Sequence, residues 1–297
     1  MKEIVVVSGK GGVGKTTISA SLALLSHRKG SKMVAADYDV DAPNLALVLE
    51  GSERNTESIS ATEIAAINPE MCNSCGQCID VCKFDAIEDT NSGDIPKILK
   101  MFCEGCGACA IVCPVEAISM REVESGIIRE IHSKYGFPLV VGQLEIGGAG
   151  SGKIVVETRK RARQLGEKIN ADLIIADGPP GAGCPAIATV SNADYVILVT
   201  EPTPAAKHDL ERIALTANHF GHPTGLILNK ADLYEPIRED ILKFAKYSKI
   251  DLLGEIPADD SIPASIANAM PVVEDQPSSP ASAAIISVFN KLMNILH

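Results

Sequence analysis

Short runs of β-branched and aliphatic residues alternate along most of the chain with longer stretches patterned for helix. Ile4 to Val7, Met33 to Ala36, Leu173 to Ala176, Tyr195 to Thr200 and Gly225 to Leu228 read as strands, and Lys15 to Lys29 and Ala205 to Asn218 as helices following two of them. Strands that alternate with helices predict a doubly wound, mostly parallel sheet, because parallel neighbours need crossovers and the crossovers pack on the sheet faces. Residues 58–122 break this rhythm and carry an internal repeat. They are expected to form an inserted module, with 1–57 and 123–297 making one discontinuous α/β domain.

Composition narrows the classes. With 297 residues, 46% hydrophobic and 22% charged, the chain suits a globular protein and excludes wholesale disorder, collagen and coiled coil. Aromatics are only 4%, with no Trp, so stacking platforms for single-stranded nucleic acid are poorly supplied. The net charge of −11 repels phosphate backbones and anionic lipid, so neither nucleic acid nor a stable membrane anchor is expected. The apolar run at Ile4 is too short for a signal core and no stretch reaches membrane-span length, which predicts a cytoplasmic protein. The amphipathic tail from Ala283 to Leu296 holds one lysine, Lys291, and is expected to pack on the sheet.

The segment Ser8-Gly9-Lys10-Gly11-Gly12-Val13-Gly14-Lys15-Thr16-Thr17 lies after a predicted strand and opens a predicted helix. That context makes it a phosphate loop. Its glycines let backbone N–H groups converge on phosphates, the helix N-terminus adds partial positive charge, Lys15 reaches the terminal phosphates and Thr16 can ligate Mg2+. Lys10 is a second lysine that an ordinary phosphate loop does not need. Two acidic stretches accompany it: Asp37-Tyr38-Asp39-Val40-Asp41 after the second strand, and Ile174-Ile175-Ala176-Asp177-Gly178-Pro179-Pro180-Gly181. Asn229-Lys230-Ala231-Asp232 spells a guanine-reading pattern, which taken literally predicts GTP.

Together these motifs resemble the deviant Walker A ATPases, the group of MinD, ParA, Mrp and the nitrogenase iron protein. The resemblance implies a P-loop NTPase fold of the SIMIBI type, a nucleotide-sandwich homodimer, and a Lys10 that reaches the partner subunit's phosphates. It places Asp39 at the attacking water, Asp177 beside Thr16 at Mg2+, and Gly11, Gly12, Val13, Gly14, Lys15, Thr16 and Thr17 around the phosphates. It also sets Asn229 and the Pro257 loop against adenine, favouring ATP over GTP. Lys10, Lys15 and Asp39 are then the catalytic set, because phosphoryl transfer rests on alignment and charge stabilisation.

Eight of the nine cysteines lie between residues 72 and 113. Cys72, Cys75, Cys78 and Cys82 follow the spacing C-x2-C-x2-C-x3-C, and Cys103, Cys106, Cys109 and Cys113 repeat it. Gly76 and Gly107, Ala86 and Ala117, and Ile87 and Ile118 also correspond between the two copies. This is the bacterial two-cluster ferredoxin pattern, in which the fourth ligand comes from the other repeat. Cys72, Cys75, Cys78 and Cys113 are therefore expected to hold one 4Fe–4S cluster, and Cys103, Cys106, Cys109 and Cys82 the other. Zinc, whose structural sites use separated ligand pairs, fits the spacing less well. Cys82 is followed by Lys83 rather than by the pattern's proline. Cys184 stands alone and is expected to be a small buried side chain. Gly147 to Lys153 imitates a second phosphate loop, but Ile154 stands where Ser or Thr would hold the metal, so it reads as a loop near the dimer face.

The whole combination resembles MinD-superfamily ATPases with an inserted ferredoxin domain, a subgroup linked to metal-cofactor and iron–sulfur assembly and to NifX-like partners. The resemblance implies an ATP-dependent redox switch acting on a redox or metal-cofactor partner protein. An iron–sulfur cluster carrier, and a MinD-like or ParA-like positioning ATPase with structural clusters, are the alternatives.

Overall fold

The computed structural model describes residues 1–60, 62–90 and 93–296. In chain order, β1 (Lys2–Ser8), α1 (Lys15–Arg28), β2 (Met33–Asp37), α2 (Leu45–Leu49) and β3 (Gly51–Ile59) lead to the cysteine-rich segment. That segment comprises β4 (Thr62–Ile67), α3 (Gln77–Val81), β5 (Ile87–Glu88), β6 (Lys97–Ile98), α4 (Ala108–Val112) and β7 (Ile118–Val123). Then follow β8 (Gly126–Ser133), β9 (Pro138–Leu144), α5 (Ser151–Ile169), β10 (Leu173–Pro180), α6 (Cys184–Val190), β11 (Tyr195–Thr200) and α7 (Pro204–Phe220). The chain closes through β12 (Thr224–Asn229), α8 (Glu235–Tyr247), β13 (Asp251–Ile256), α9 (Ser261–Ala267), α10 (Val272–Asp275) and α11 (Pro280–Leu296).

A nine-stranded sheet runs in the order β13-β12-β11-β1-β10-β2-β9-β8-β3. Its strands from β13 to β9 pair in parallel, and β8 and β3 extend the edge antiparallel. Because side chains alternate across a strand, β1 feeds both layers. Ile4 and Val6 pack with α1, α10 and α11, whereas Val5 and Val7 pack with α5, α6, α7 and α8. All four are fully buried, each contributing about 1.5–3 kcal/mol of burial. The tail helix α11 buries Ile285, Val288, Phe289 and Leu292 against this core, and Lys291 donates to the Leu252 carbonyl. Among the described residues no helix is long and apolar enough to cross a membrane.

The β3–β8–β9 edge goes beyond the alternation read from sequence. β3, with the sequence GSERNTESI, is almost wholly exposed, so no apolar run announces it. An edge strand rich in polar and charged residues resists pairing with other chains. Between β3 and β8 the cysteine-rich segment forms two small antiparallel pairs, β4 with β7 and β5 with β6. Its own core is slight: Ala65, Cys78, Ile87, Cys109 and Ile118. Since β3 continues to Ile59 and β7 to Val123, its strands span 62–123.

Candidate functional site

Parallel strands end along one edge of the sheet, where crevices form at the strand C-termini. There the loop after β1 turns into α1 through Gly12 and Gly14, whose φ values of 81° and 97° lie in the left-handed region. Gly11, Gly12, Gly14, Lys15, Thr16, Thr17 and Asp39 line one cleft of about 600 Å³, a volume typical of ligand sites. Pro179 and Pro180 close another wall. Val13 points into the core, 1% exposed, and its carbonyl accepts a 2.8 Å hydrogen bond from Asn229 Nδ2.

Asp37 ends β2 and pairs in register with Asp177 of the neighbouring β10. Thr16 Oγ1 donates to Asp177 Oδ2 at 2.6 Å, and Ser19 Oγ donates to Oδ1 at 2.8 Å. Asp37 accepts from the backbone N–H groups of Asp39 (3.1 Å) and Leu45 (2.9 Å), so it shapes the acidic loop rather than facing the cleft. Burial raises both carboxyls, with Asp177 adding to the rise at Asp37 and Lys15 opposing it at Asp177. Asp39 stands 4.0 Å from Lys15 Nζ. Burial lifts its carboxyl to about 6 against the pull of Lys15, with Asp177 and Asp41 assisting.

Lys10 is absent from the cleft wall. Its ammonium lies 3.6 Å from Glu201, which also takes a 2.8 Å bond from Lys230. Asn229 is 4% exposed and its Oδ1 has no hydrogen-bond partner, a costly orphan in a buried site. Ala258 N–H, just beyond Pro257, donates to Asp232 Oδ1 at 2.7 Å, which ties the two loops together.

In the cysteine-rich segment the thiols sort into two cavities. Cys72, Cys75, Cys78 and Cys113 line one; Cys82, Cys103, Cys106 and Cys109 line the other. The repeat is also visible in the backbone. Gly76 and Gly107 open α3 and α4 at φ 74° and 73°, and Ala86 and Ala117 N–H groups donate to Cys82 and Cys113 Sγ at 3.4 and 3.2 Å. Burial pushes the Cys78 and Cys109 thiols up, so neutral forms are favoured unless a cation holds them as thiolates. Among the described residues no three His, Cys, Asp or Glu side chains gather tightly enough for a single metal ion.

Cys184 corrects the sequence reading. It is exposed, not buried, because it opens α6 at the strand-end edge rather than within the helix. The Gly147–Lys153 stretch is part loop and part the first turn of α5, and Gly147 lies against Met101 of the cysteine-rich segment. Sequence reasoning missed a buried ionic hub. Glu3, 1% exposed, accepts from Arg159 Nε at 2.7 Å and Arg163 Nε at 3.0 Å, and Arg159 lies 5.1 Å over the Tyr38 ring. A glutamate breaking the start of an apolar strand was its one signal.

Comparison with known proteins gives likeness over nearly the full length. An uncharacterized protein of Methanocaldococcus jannaschii is 39% identical over 294 residues, 99% of this chain and 97% of the relative. The septum site-determining protein MinD of Buchnera aphidicola subsp. Baizongia pistaciae is 25% identical over 311 residues, 98% of this chain and 91% of the relative. The solved structure of MinD from Pyrococcus horikoshii complexed with Mg-ADP shares the fold at a TM-score of 0.60 and 20% identity, over 99% of this chain and 97% of that one. Residues 4–272 match the CobQ/CobB/MinD/ParA nucleotide binding domain, and the chain belongs to that family of P-loop proteins.

Proposed function

We propose that the protein is a dimeric ATPase whose nucleotide state governs an inserted two-cluster redox module. The observation carrying this reading is the partition of eight thiols into two four-cysteine cavities on a chain that also holds a P-loop cleft. Each cavity draws one cysteine from the opposite repeat, as a two-cluster ferredoxin requires. Cys72, Cys75, Cys78 and Cys113 would hold one 4Fe–4S cluster and Cys82, Cys103, Cys106 and Cys109 the other. When bound, such clusters supply one-electron chemistry.

The cleft's own residues account for hydrolysis. Backbone N–H groups of Gly11 to Thr16 and the start of α1 bind phosphate, Lys15 neutralises it, and Thr16, which bonds Asp177, would hold Mg2+. Asp39, at the cleft wall beside Lys15, orients the attacking water in its ionised form. Lys10 turned towards Glu201, outside its own cleft, fits a charge delivered to a second subunit. The buried Asn229 Oδ1 suits adenine, whose exocyclic amine donates where guanine presents an acceptor. Asp232 accepts from Ala258 N–H through Oδ1, which joins this motif to the Pro257 loop. The partners follow: a second copy across the nucleotides, and a redox or metal-cofactor protein at the module.

Anaerobically purified protein should carry about eight irons with matching acid-labile sulfide, and hydrolyse MgATP. Asp39→Ala should lower the rate on the order of 100-fold while leaving iron content intact. Iron-free protein from anaerobic preparation, or an Asp39→Ala protein of normal rate, would overturn the reading. A cluster handed readily to an apo-acceptor would favour the carrier alternative.

A further inference from the structure

The stretch 138–169, comprising β9, the loop 145–150 and α5, touches three regions at once. At the first acidic loop, Leu144 N–H donates to the Val40 carbonyl at 2.8 Å, one residue beyond Asp39. Arg159 stacks on Tyr38, the residue preceding Asp39. At the exit of the Asp177 loop, Gly152 lies against Cys184, and Arg159 donates to the carbonyls of Ala188 and Thr189 on α6. Tyr38 N–H in turn donates to the Asp177 carbonyl at 2.7 Å, so both acidic loops meet this unit together.

The third region is the root of the cysteine module. Glu145 N–H donates to the Ser125 carbonyl at 2.9 Å, and Thr62 Oγ1 donates to the Ala149 carbonyl at 3.4 Å. Arg161 pairs with Glu57 on β3 and, at 3.3 Å, with Glu130 on β8, the two strands that carry the module. An open cleft of about 520 Å³, lined by Thr62, Glu63, Glu122, Lys153, Val156 and Glu157, separates the module's root from α5 elsewhere. The root thus meets this unit through polar contacts at one side and faces an open cleft at the other.

The two cysteine cavities are not equivalent with respect to this root. β4 leaves the root at Thr62, and the cavity of Cys82, Cys103, Cys106 and Cys109 lies against Ala65 and Met120, nearer the root than Ile67 and Ile118 of the other cavity. Gly105 packs on the Glu63 carbonyl, and Met101 packs on Gly147 of the connecting loop.

We infer that the β9–α5 unit transmits the nucleotide state to the root-proximal loop, residues 101–109, and leaves the distal loop, residues 72–78, unmoved. Arg161 and Gly148 are positioning residues in this transfer. A Cβ at Gly148 would stand 2.8 Å from the Ser125 carbonyl and 2.9 Å from that of Glu145, so Gly148→Ala must displace the contact. The inference rests on the proposed nucleotide binding but not on any hydrolysis rate.

The test is amide hydrogen exchange on the anaerobic, cluster-loaded full chain, with MgADP against a slowly hydrolysed MgATP analogue. Wild type should show at least a threefold change in exchange over 101–109 and β4, and none over 72–78. Arg161→Ala and Gly148→Ala should bind nucleotide and retain iron, yet lose that difference. Equal changes in both cysteine loops, or variants that keep the full difference, would overturn the transmission while leaving the ATPase reading intact. A wild type in which the nucleotide alters the acidic loops but neither cysteine loop would overturn it too. Absence of any nucleotide binding would sink the underlying reading as well.

Discussion

The sheet and the cysteine module are stabilised in opposite ways. The sheet buries two continuous aliphatic layers, one on each face, with strand after strand fully withdrawn from water. The module's core cluster is only Ala65, Cys78, Ile87, Cys109 and Ile118, and it leaves Met101, Phe102 and Ile111 more than half exposed. Burial at roughly 25 cal/mol per Å² can order the first, whereas so small a core falls short of the chain entropy of some 60 residues. Their difference teaches that the sheet carries its own stability in its two layers, whereas the module has little apolar burial to draw on.

The largest test of that contrast is removal of iron. On the proposed two-cluster reading, anaerobic chelation should abolish exchange protection across the strands and helices of the module while amides of β1 and β10 stay protected, because metal-binding free energy would there be folding free energy. Retained protection in the stripped module would break the comparison. A smaller perturbation strikes the sheet alone. Gly14 adopts φ 97° and packs its open side on the Asn229 amide, so Gly14→Ala should cost about 1–3 kcal/mol by thermal melting and weaken nucleotide binding, leaving cluster absorbance unchanged.

The smallest effect depends on pH. Asp39 titrates near 6 in the folded chain but near 3.9 when unfolded, so its ionisation removes stability as pH rises from about 4 through about 6. Asp39→Asn lacks that loss. Nucleotide-free Asp39→Asn should melt above wild type at pH 8, by up to about 3 kcal/mol, and match it at pH 4. A constant offset at both pH values would show that burial does not set this carboxyl.

Legibility in the sequence followed the same division. The five apolar strand runs, the P-loop and the doubled cysteine spacing are local patterns, so the chain displays them directly. β3 was hidden because an exposed edge strand has no apolar face to announce it. Arg159, Glu3 and Tyr38 lie far apart in sequence, and only the crossover of α5 brings them together. The exposure of Cys184 depended on its place at a strand-end loop, which spacing from Asp177 alone does not reveal. Asn229 was legible by motif, but its tie to Val13, which leaves Oδ1 alone, required the packed structure.

Beneath the module, Ser125 N–H donates to the Ile59 carbonyl at 2.8 Å, continuing the β3–β8 ladder that runs from Gly51 opposite Ser133 to Ile59 opposite Gly126. The host hairpin is thus already zipped shut at its neck. In architectural terms the cysteine-rich unit is a graft on the tip of a finished hairpin, joined through a neck only two strands wide and lying outside the register of every parallel strand.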